Sequence, residues 1–149
     1  MRPYVIVSPG YTEESWGIRT LHQLCHRLNL LDVPAFMLLS GTGATRSDWK
    51  TPPAKVRHLR DAIVVYPEIV CENFLRAARV VRWLLNRPGY IGGTWSPLAA
   101  DEYTVAWSPI IDETLPVLNL QLWNDGTFHP HDLPGKEGEL FYVGKGSRL

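Results

Sequence analysis

Short apolar runs alternate along this chain with polar stretches punctuated by glycine and proline. Tyr4-Val-Ile-Val-Ser8 is the first such run, bounded by Ser8-Pro9-Gly10. It predicts a strand covered on both faces, as in a parallel sheet. Ile18, Leu21, Leu24, Cys25 and Leu28 then recur at helical spacing, with Arg19, His22, Gln23, His26 and Arg27 on the other side. This predicts an amphipathic helix over Gly17 to Leu30 with Ser15 as its N-cap. Asp32-Val33-Pro34 turns the chain, and Ala35 to Leu39 reads as a second strand that completes a βαβ unit. A loop follows over Ser40 to Pro53, then a short basic helix over Ala54 to Arg60 started by Pro53.

Ala62 to Tyr66 reads as the third strand, ending at Pro67-Glu68. Asn73 reads as the cap of a second helix over Phe74 to about Asn86, because Phe74, Ala77, Ala78, Val81, Leu84 and Leu85 fall at helical spacing and Pro88-Gly89 stops the run. Ile91 to Pro97 is loop. Short strands are predicted at Thr104 to Trp107, within Leu115 to Leu122 with its centre at Val117 to Leu120, and at Leu140 to Val143 before Gly144-Lys145-Gly146. The resulting class is α/β with a mainly parallel sheet. In such folds ligands sit beyond the C-terminal ends of the strands.

With 149 residues the chain suits one domain spanning 1–149, and 45% hydrophobic with 20% charged residues makes it globular rather than disordered. Fifteen basic side chains balance fifteen acidic ones, which argues against a broad nucleic-acid footprint. No apolar run reaches membrane-spanning length, and Gly10 with Glu13-Glu14 interrupts any signal-like segment after Arg2. Cys25 and Cys71 cannot build a disulfide framework. They read as buried free thiols in a reducing, cytoplasmic setting.

Candidate chemistry is spread over several elements. The loop from Ser8 to Gly17 offers backbone amides at a helix start, which can face a phosphate or a hydroxyl; the alternative is a plain βα connection. Its glycine spacing does not fit the dinucleotide fingerprint, and Gly41-Thr-Gly-Ala-Thr lacks the Lys-Ser/Thr of a P-loop, so no cofactor is implied. Glu68 follows a buried strand, where a carboxylate can bind a sugar hydroxyl or act as a base; the alternative is a charge favourable to the next helix. His22 and His26 are four apart, a metal-compatible spacing without a third ligand, so both read as solvated and no metal is implied, although His22 near the helix start can point at a cleft. Arg76, Arg79, Arg82 and Arg87 form a basic stripe that contacts phosphate or an anionic membrane surface, or else a solvated helix face. Trp83 and Trp107 suit a core; Trp16, Trp49 and Trp95 lie in loops and can stack on sugar rings or pack inward.

Tyr4-Val-Ile-Val-Ser-Pro-Gly10 with Trp16-Gly-Ile-Arg-Thr-Leu-His-Gln-Leu-Cys25 resembles the N-terminal domain of GT-B fold glycosyltransferases of the family 4 type. Ile63-Val-Val-Tyr-Pro-Glu68, Arg79 to Gly89 and Ala106-Trp-Ser108 are similar to bacterial members that act on surface polysaccharides. The resemblance spans roughly Tyr4 to Val143. It implies a Rossmann-like three-layer sandwich forming the N-terminal half of GT-B. It also implies transfer from a sugar nucleotide to a glycan or lipid-linked acceptor, with possible contact at the inner face of the membrane. Glu68 is then the catalytic candidate, and Gly10, Trp16, Gly17, Arg19, His22 and Ser108 are the substrate-binding candidates. The family's Gly-Gly is Trp16-Gly17 here. The family enzyme is considerably longer, so residues 140–149 fall where its second domain would start, and the chain alone is expected to be inactive. The competing expectation is a stand-alone Rossmann-like binding or assembly protein, dimeric through an exposed edge. An enzyme half predicts apolar surface near Trp95 to Trp107 and Leu140 to Val143, whereas a self-sufficient domain predicts those residues buried.

Overall fold

A computed structural model of the chain describes residues 1–91 and 101–120. Strands β1 (Tyr4–Ser8), β2 (Ala35–Leu39), β3 (Ile63–Pro67), β4 (Val80–Leu84) and β5 (Tyr103–Ala106) form one sheet in the order β2-β1-β3-β4-β5. Every pair is parallel. Two helices, α1 (Trp16–Leu30) and α2 (Val56–Leu59), complete the described elements. The fold is thus an α/β Rossmann-like sandwich. The chain steps from β1 to β2 on one side, then crosses to place β3 on the other side of β1, so the switch in strand order lies between β1 and β3.

Both sheet faces are apolar, and each is covered differently. Ile6, Met37, Val65, Trp83 and Val105 project to one face, where Leu21, Leu24 and Cys25 of α1 pack on them. Trp83 is fully buried and its indole Nε1 donates to the Leu118 carbonyl at 3.1 Å. Val5, Val7, Val64, Tyr66 and Val80 project to the other face, under Leu59 of α2 and Val70, Leu75 and Ala77 of the β3–β4 connection. Burying each large side chain of this kind contributes about 1.5–3 kcal/mol.

Helix α1 starts one residue earlier than predicted, with the Ser15 hydroxyl accepting from the Ile18 amide. At its other end Asn29 joins three segments. Its Nδ2 donates to the carbonyls of Cys25, Ala35 and Lys50, and its Oδ1 accepts from the Ala35 amide at 3.2 Å. Asp32 supplies the left-handed residue beyond the helix end, with φ of 57°. The short helix α2 covers only the centre of the predicted Ala54 to Arg60.

The predicted helix over Phe74 to Asn86 is not formed; its second half is strand β4. The run Val80-Val-Arg-Trp-Leu84 is β-branched and aromatic, and in register it pairs with Val64 to Pro67 on one side and Tyr103 to Ala106 on the other. Asn73 does not cap a helix. Its Oδ1 accepts from the Ala77 amide and its Nδ2 donates to the Ala77 carbonyl, closing a loop in which Arg76 takes φ of 49°. The basic stripe therefore does not exist as a helix face. Arg82 is 2% exposed and forms a two-pronged ion pair with Glu102, at 2.9 and 2.8 Å. It also donates to the Val70 carbonyl and lies 5.0 Å from the centre of the Tyr66 ring.

The strand predicted at Thr104 to Trp107 is β5, shifted by one residue. Of the segment predicted over Leu115 to Leu122, residues 115–120 are described, and they make an isolated bridge between Ala106 and Val117, supported by Ala106 N to Pro116 O and Leu118 N to Ala106 O. Leu140 to Val143, Trp95 and most of the Ile91 to Pro97 loop lie outside the described residues. No helix among the described residues is long and apolar enough to cross a membrane.

A buried ion pair is costly to break from one side, because the remaining charge is left without a partner. Glu102→Ala should lower unfolding free energy by about 3 kcal/mol or more. Denaturant titration checks this, and a loss near that of an exposed pair, below about 1 kcal/mol, would contradict the buried placement.

Candidate functional site at the switch point

The C-terminal ends of β1 and β3 splay the following loops apart at the switch in strand order, where doubly wound folds place their ligands. A cavity of about 220 Å³ lies there. Pro9, Ser15, Gly17, Ile18 and Leu21 form one wall, from the β1–α1 loop and the first turns of α1. Pro67, Glu68 and Ile69 form the floor and opposite wall, and Leu85, Asn86 and Ile91 close the side from the end of β4. Gly17 leaves that wall low, since a methyl group built on it meets nothing closer than Leu85 Cδ1 at 3.7 Å.

Among the described residues Glu68 is the one ionisable side chain in this lining. It is 6% exposed, and its Oε2 accepts from the Leu85 amide at 2.9 Å. Burial among apolar walls pushes its carboxyl above the usual range, while hydrogen bonds from the backbone of Leu85, Glu68 and Asn86 pull in the other direction. The carboxyl thus ties the end of β3 to the end of β4 and presents a proton acceptor inside an apolar crevice.

Beside the crevice, the β1–α1 loop crosses the loop after β2 at very close range. A Cβ on Gly10 would meet Gly43 Cα at 2.8 Å and Ala44 N at 3.2 Å. The Tyr11 amide donates to the Ala44 carbonyl at 2.8 Å. Gly43 itself has φ of 149°, which L side chains rarely adopt. Tyr11 and Trp49 meet edge to face, the Arg46 guanidinium lies 4.9 Å from the Trp49 ring centre, and Arg46 pairs with Glu13 and Asp48.

His22 is not solvated, contrary to expectation, while His26 is half-buried. His22 is fully buried, with Nε2 3.0 Å from the Pro9 carbonyl and Nδ1 without a hydrogen-bond partner among the described residues. That pairing assigns the proton to Nε2, so the imidazole holds Pro9 over the crevice. Burial lowers its pKa. His26 stacks on Trp49, and its Nδ1 accepts from the Lys50 amide at 2.9 Å. Both rings are apolar enough on their faces to pack, which polar-face periodicity does not reveal. Among the described residues no group of three or more His, Cys, Asp and Glu could hold a metal ion. Cys25 is buried, its thiol pushed up to about 12, and Cys71 is half-buried rather than buried.

Of the predicted site residues, the fold brings Gly17 and Glu68 together in the crevice lining. Gly10 and His22 shape the loop above it without lining it. Trp16 is not in the lining; it is 60% exposed, with the Arg19 guanidinium 5.4 Å from its ring centre. Arg19 turns toward Glu13, at 3.4 Å. Ser108 follows β5 at the far side of the sheet, where its hydroxyl accepts from the Ile110 amide at 3.3 Å. The crevice residues missed from sequence are apolar or small, and Leu85 and Asn86 were hidden inside the predicted helix. The run Val80 to Leu84, read as a strand, is the signal that would have placed them.

Comparison with protein-family models, curated proteins and solved structures gives no match. The crevice is therefore read from its own chemistry.

Two outcomes follow for the loop. Gly10→Ala should destabilise by about 1–3 kcal/mol, because backbone atoms on both sides must move. Gly17→Ala should be neutral or stabilising by about 0.5–1 kcal/mol, since Gly17 sits in a helix with room for a methyl group. Thermal melts of the two variants check the contrast, and equal melting temperatures would contradict it. For His22, the folded pKa lies below the unfolded value of 6.5. Its contribution to stability is therefore present above pH 6.5 and is lost as pH falls through the folded pKa. The shift of Glu68 acts in the opposite sense. The difference in unfolding free energy between wild type and His22→Gln should shrink as pH drops below 6.5, and a pH-independent difference would contradict a buried neutral imidazole.

Proposed function

We propose that this chain is the acceptor-side N-terminal domain of a sugar-nucleotide-dependent glycosyltransferase in surface polysaccharide or glycan synthesis. The observation that carries the reading is Glu68, a buried carboxyl with a raised pKa at the floor of a crevice over the β1–β3 switch point. The segment resemblance from Tyr4 to Val143 supplies the reaction class. The crevice volume of about 220 Å³ is below the 300–1,000 Å³ typical of drug-sized ligands, so it suits a single sugar ring and not a whole sugar nucleotide. That fits an acceptor subsite, with the donor and its diphosphate held by a second domain.

In this mechanism an acceptor hydroxyl hydrogen-bonds to Glu68, which orients it and takes its proton as the hydroxyl oxygen bonds to the donor's anomeric carbon, while the bond from that carbon to the diphosphate oxygen breaks and the nucleoside diphosphate leaves on the second domain. The backbone amides of Leu85 and Asn86 steady the carboxyl. Pro9, Ile18 and Ile69 exclude water around the ring. Ile69 and Ile91, respectively 48% and 55% exposed, give the crevice an apolar rim of the kind that a second domain or a lipid-linked acceptor at the inner membrane face would cover.

A stand-alone binding module has its own supporting observation. Val105 and Ala106 are buried within the sheet and bridged to the Val117 segment, whereas an exposed interface was expected in that region for an enzyme half. Carbohydrate binding at the crevice is common to both readings; donor binding by a second domain separates them.

Calorimetric titration with methyl hexosides and short oligosaccharides tests the acceptor subsite. Wild type should bind at least one with millimolar affinity. Gly17→Ala, which raises the crevice wall without loss of stability, should weaken that binding about tenfold, as should Glu68→Gln; a tenfold change corresponds to about 1.4 kcal/mol. Absence of binding across the panel, or affinity unchanged in both variants, would overturn the assignment.

A further inference from the structure

The opposite end of the same strands carries a second cavity, of about 610 Å³, whose lining includes Arg2, Arg57, His58, Arg60 and Asp61. Its basic side chains converge for reasons that lie in the fold. The Ile63 amide donates to the Pro3 carbonyl at 2.9 Å, which sets Arg2 beside the chain entering β3. His58 stacks on Phe36 of β2, with ring centres 3.7 Å apart, and its Nδ1 accepts from the Lys55 amide at 3.0 Å. That pins α2 against the sheet, and the spacing of three between Arg57 and Arg60 turns both toward one opening. Because Nδ1 accepts, the ring proton sits on Nε2, so Arg57 Nε, 3.2 Å away, gains no hydrogen bond there and the guanidinium keeps its donors for an anion.

What marks this cavity is the gathering of three guanidiniums, since Arg27, Arg76, Arg79 and Arg87 also lack an ion pair among the described residues. The chain is neutral overall, with fifteen basic and fifteen acidic residues. Arg19, Arg46 and Arg82 each pair with a carboxylate. Arg2, Arg57 and Arg60 have no carboxylate within ion-pairing distance among the described residues, although Asp61 shares the lining. Three unpaired guanidiniums around one concavity repel one another, and a multivalent anion relieves that repulsion while accepting forked hydrogen bonds.

We infer that this cavity is a binding site for a phosphate or diphosphate group, separate from the switch-point crevice. With five-residue strands between them, the two sites lie about 15–17 Å apart. The inference does not depend on the proposed transfer reaction.

Inorganic pyrophosphate is the probe, followed by amide chemical shifts of the whole chain at low ionic strength. Saturable shifts are expected at Arg2, Arg57, His58 and Arg60 and not at Gly17 or Glu68. The double variant R57A/R60A should bind at least tenfold more weakly with an unchanged melting temperature, since both side chains are exposed. Affinity should also fall steeply with added salt. No saturable shift at millimolar pyrophosphate, or undiminished affinity in R57A/R60A, would overturn the site. So would binding to phosphatidylglycerol vesicles without binding to pyrophosphate, which would indicate diffuse surface charge and no pocket.

Discussion

A parallel sheet with two apolar faces must be covered on both, and the described residues have one helix of substantial length to do it. Helix α1 covers β1 and β2 and reaches Val65, Trp83 and Val105. The other face is closed largely by the β3–β4 connection, which has no regular helix of its own. Tyr66 anchors that connection: its hydroxyl accepts from the Leu75 amide and meets Asn73 Oδ1 at 3.3 Å, while its ring faces Phe74 and Arg82. Arg82 then joins β4 to Glu102 ahead of β5 and to the Val70 carbonyl. A charged residue in the middle of a strand is tolerable because every prong of its guanidinium is directed at a partner. Among the described residues the crevice forms at the C-terminal ends of the strands.

The first half of the fold was legible in the sequence. Tyr4 to Ser8, the α1 periodicity, the Ser15 cap and Ala35 to Leu39 each carry a local signal that tertiary packing reinforces. Phe74 to Asn86 shows where legibility ends. Its apolar residues satisfy a helical period and a strand run at once, and Arg82 counts as a polar-face marker until Glu102, twenty residues on, is seen to bury it. Asn73 is likewise ambiguous, because the amide that caps helices also closes loops. Histidine burial was illegible for a related reason: Trp49 and Pro9, which cover His26 and His22, come from loops distant in sequence. Glu68 was legible because a carboxyl immediately after a buried strand must sit at the sheet edge. Its neighbours across the crevice were not, since Leu85 and Asn86 depend on β4 being a strand.

The two ends of the sheet thus differ in chemistry. The C-terminal end holds an apolar crevice whose described lining has one carboxyl, its pKa raised by burial. The N-terminal end is cationic, suited to phosphate. This separation follows from the topology: β1 and β3 are neighbours, so the loops leaving them gather at one end and the segments entering them at the other. Pro3 and Asp61 belong to the entering segments, Pro9 and Glu68 to the leaving ones.

The central claim is that the crevice over the β1–β3 switch point is where a sugar ring binds. Intermolecular NOEs between a bound methyl hexoside and the methyl groups of the chain test it most directly. The account predicts contacts from the sugar to Ile18, Leu21, Ile69 and Leu85. Contacts confined to methyl groups at the other end of the sheet, such as Leu59 and Val56, or an absence of contacts at saturating sugar, would contradict it.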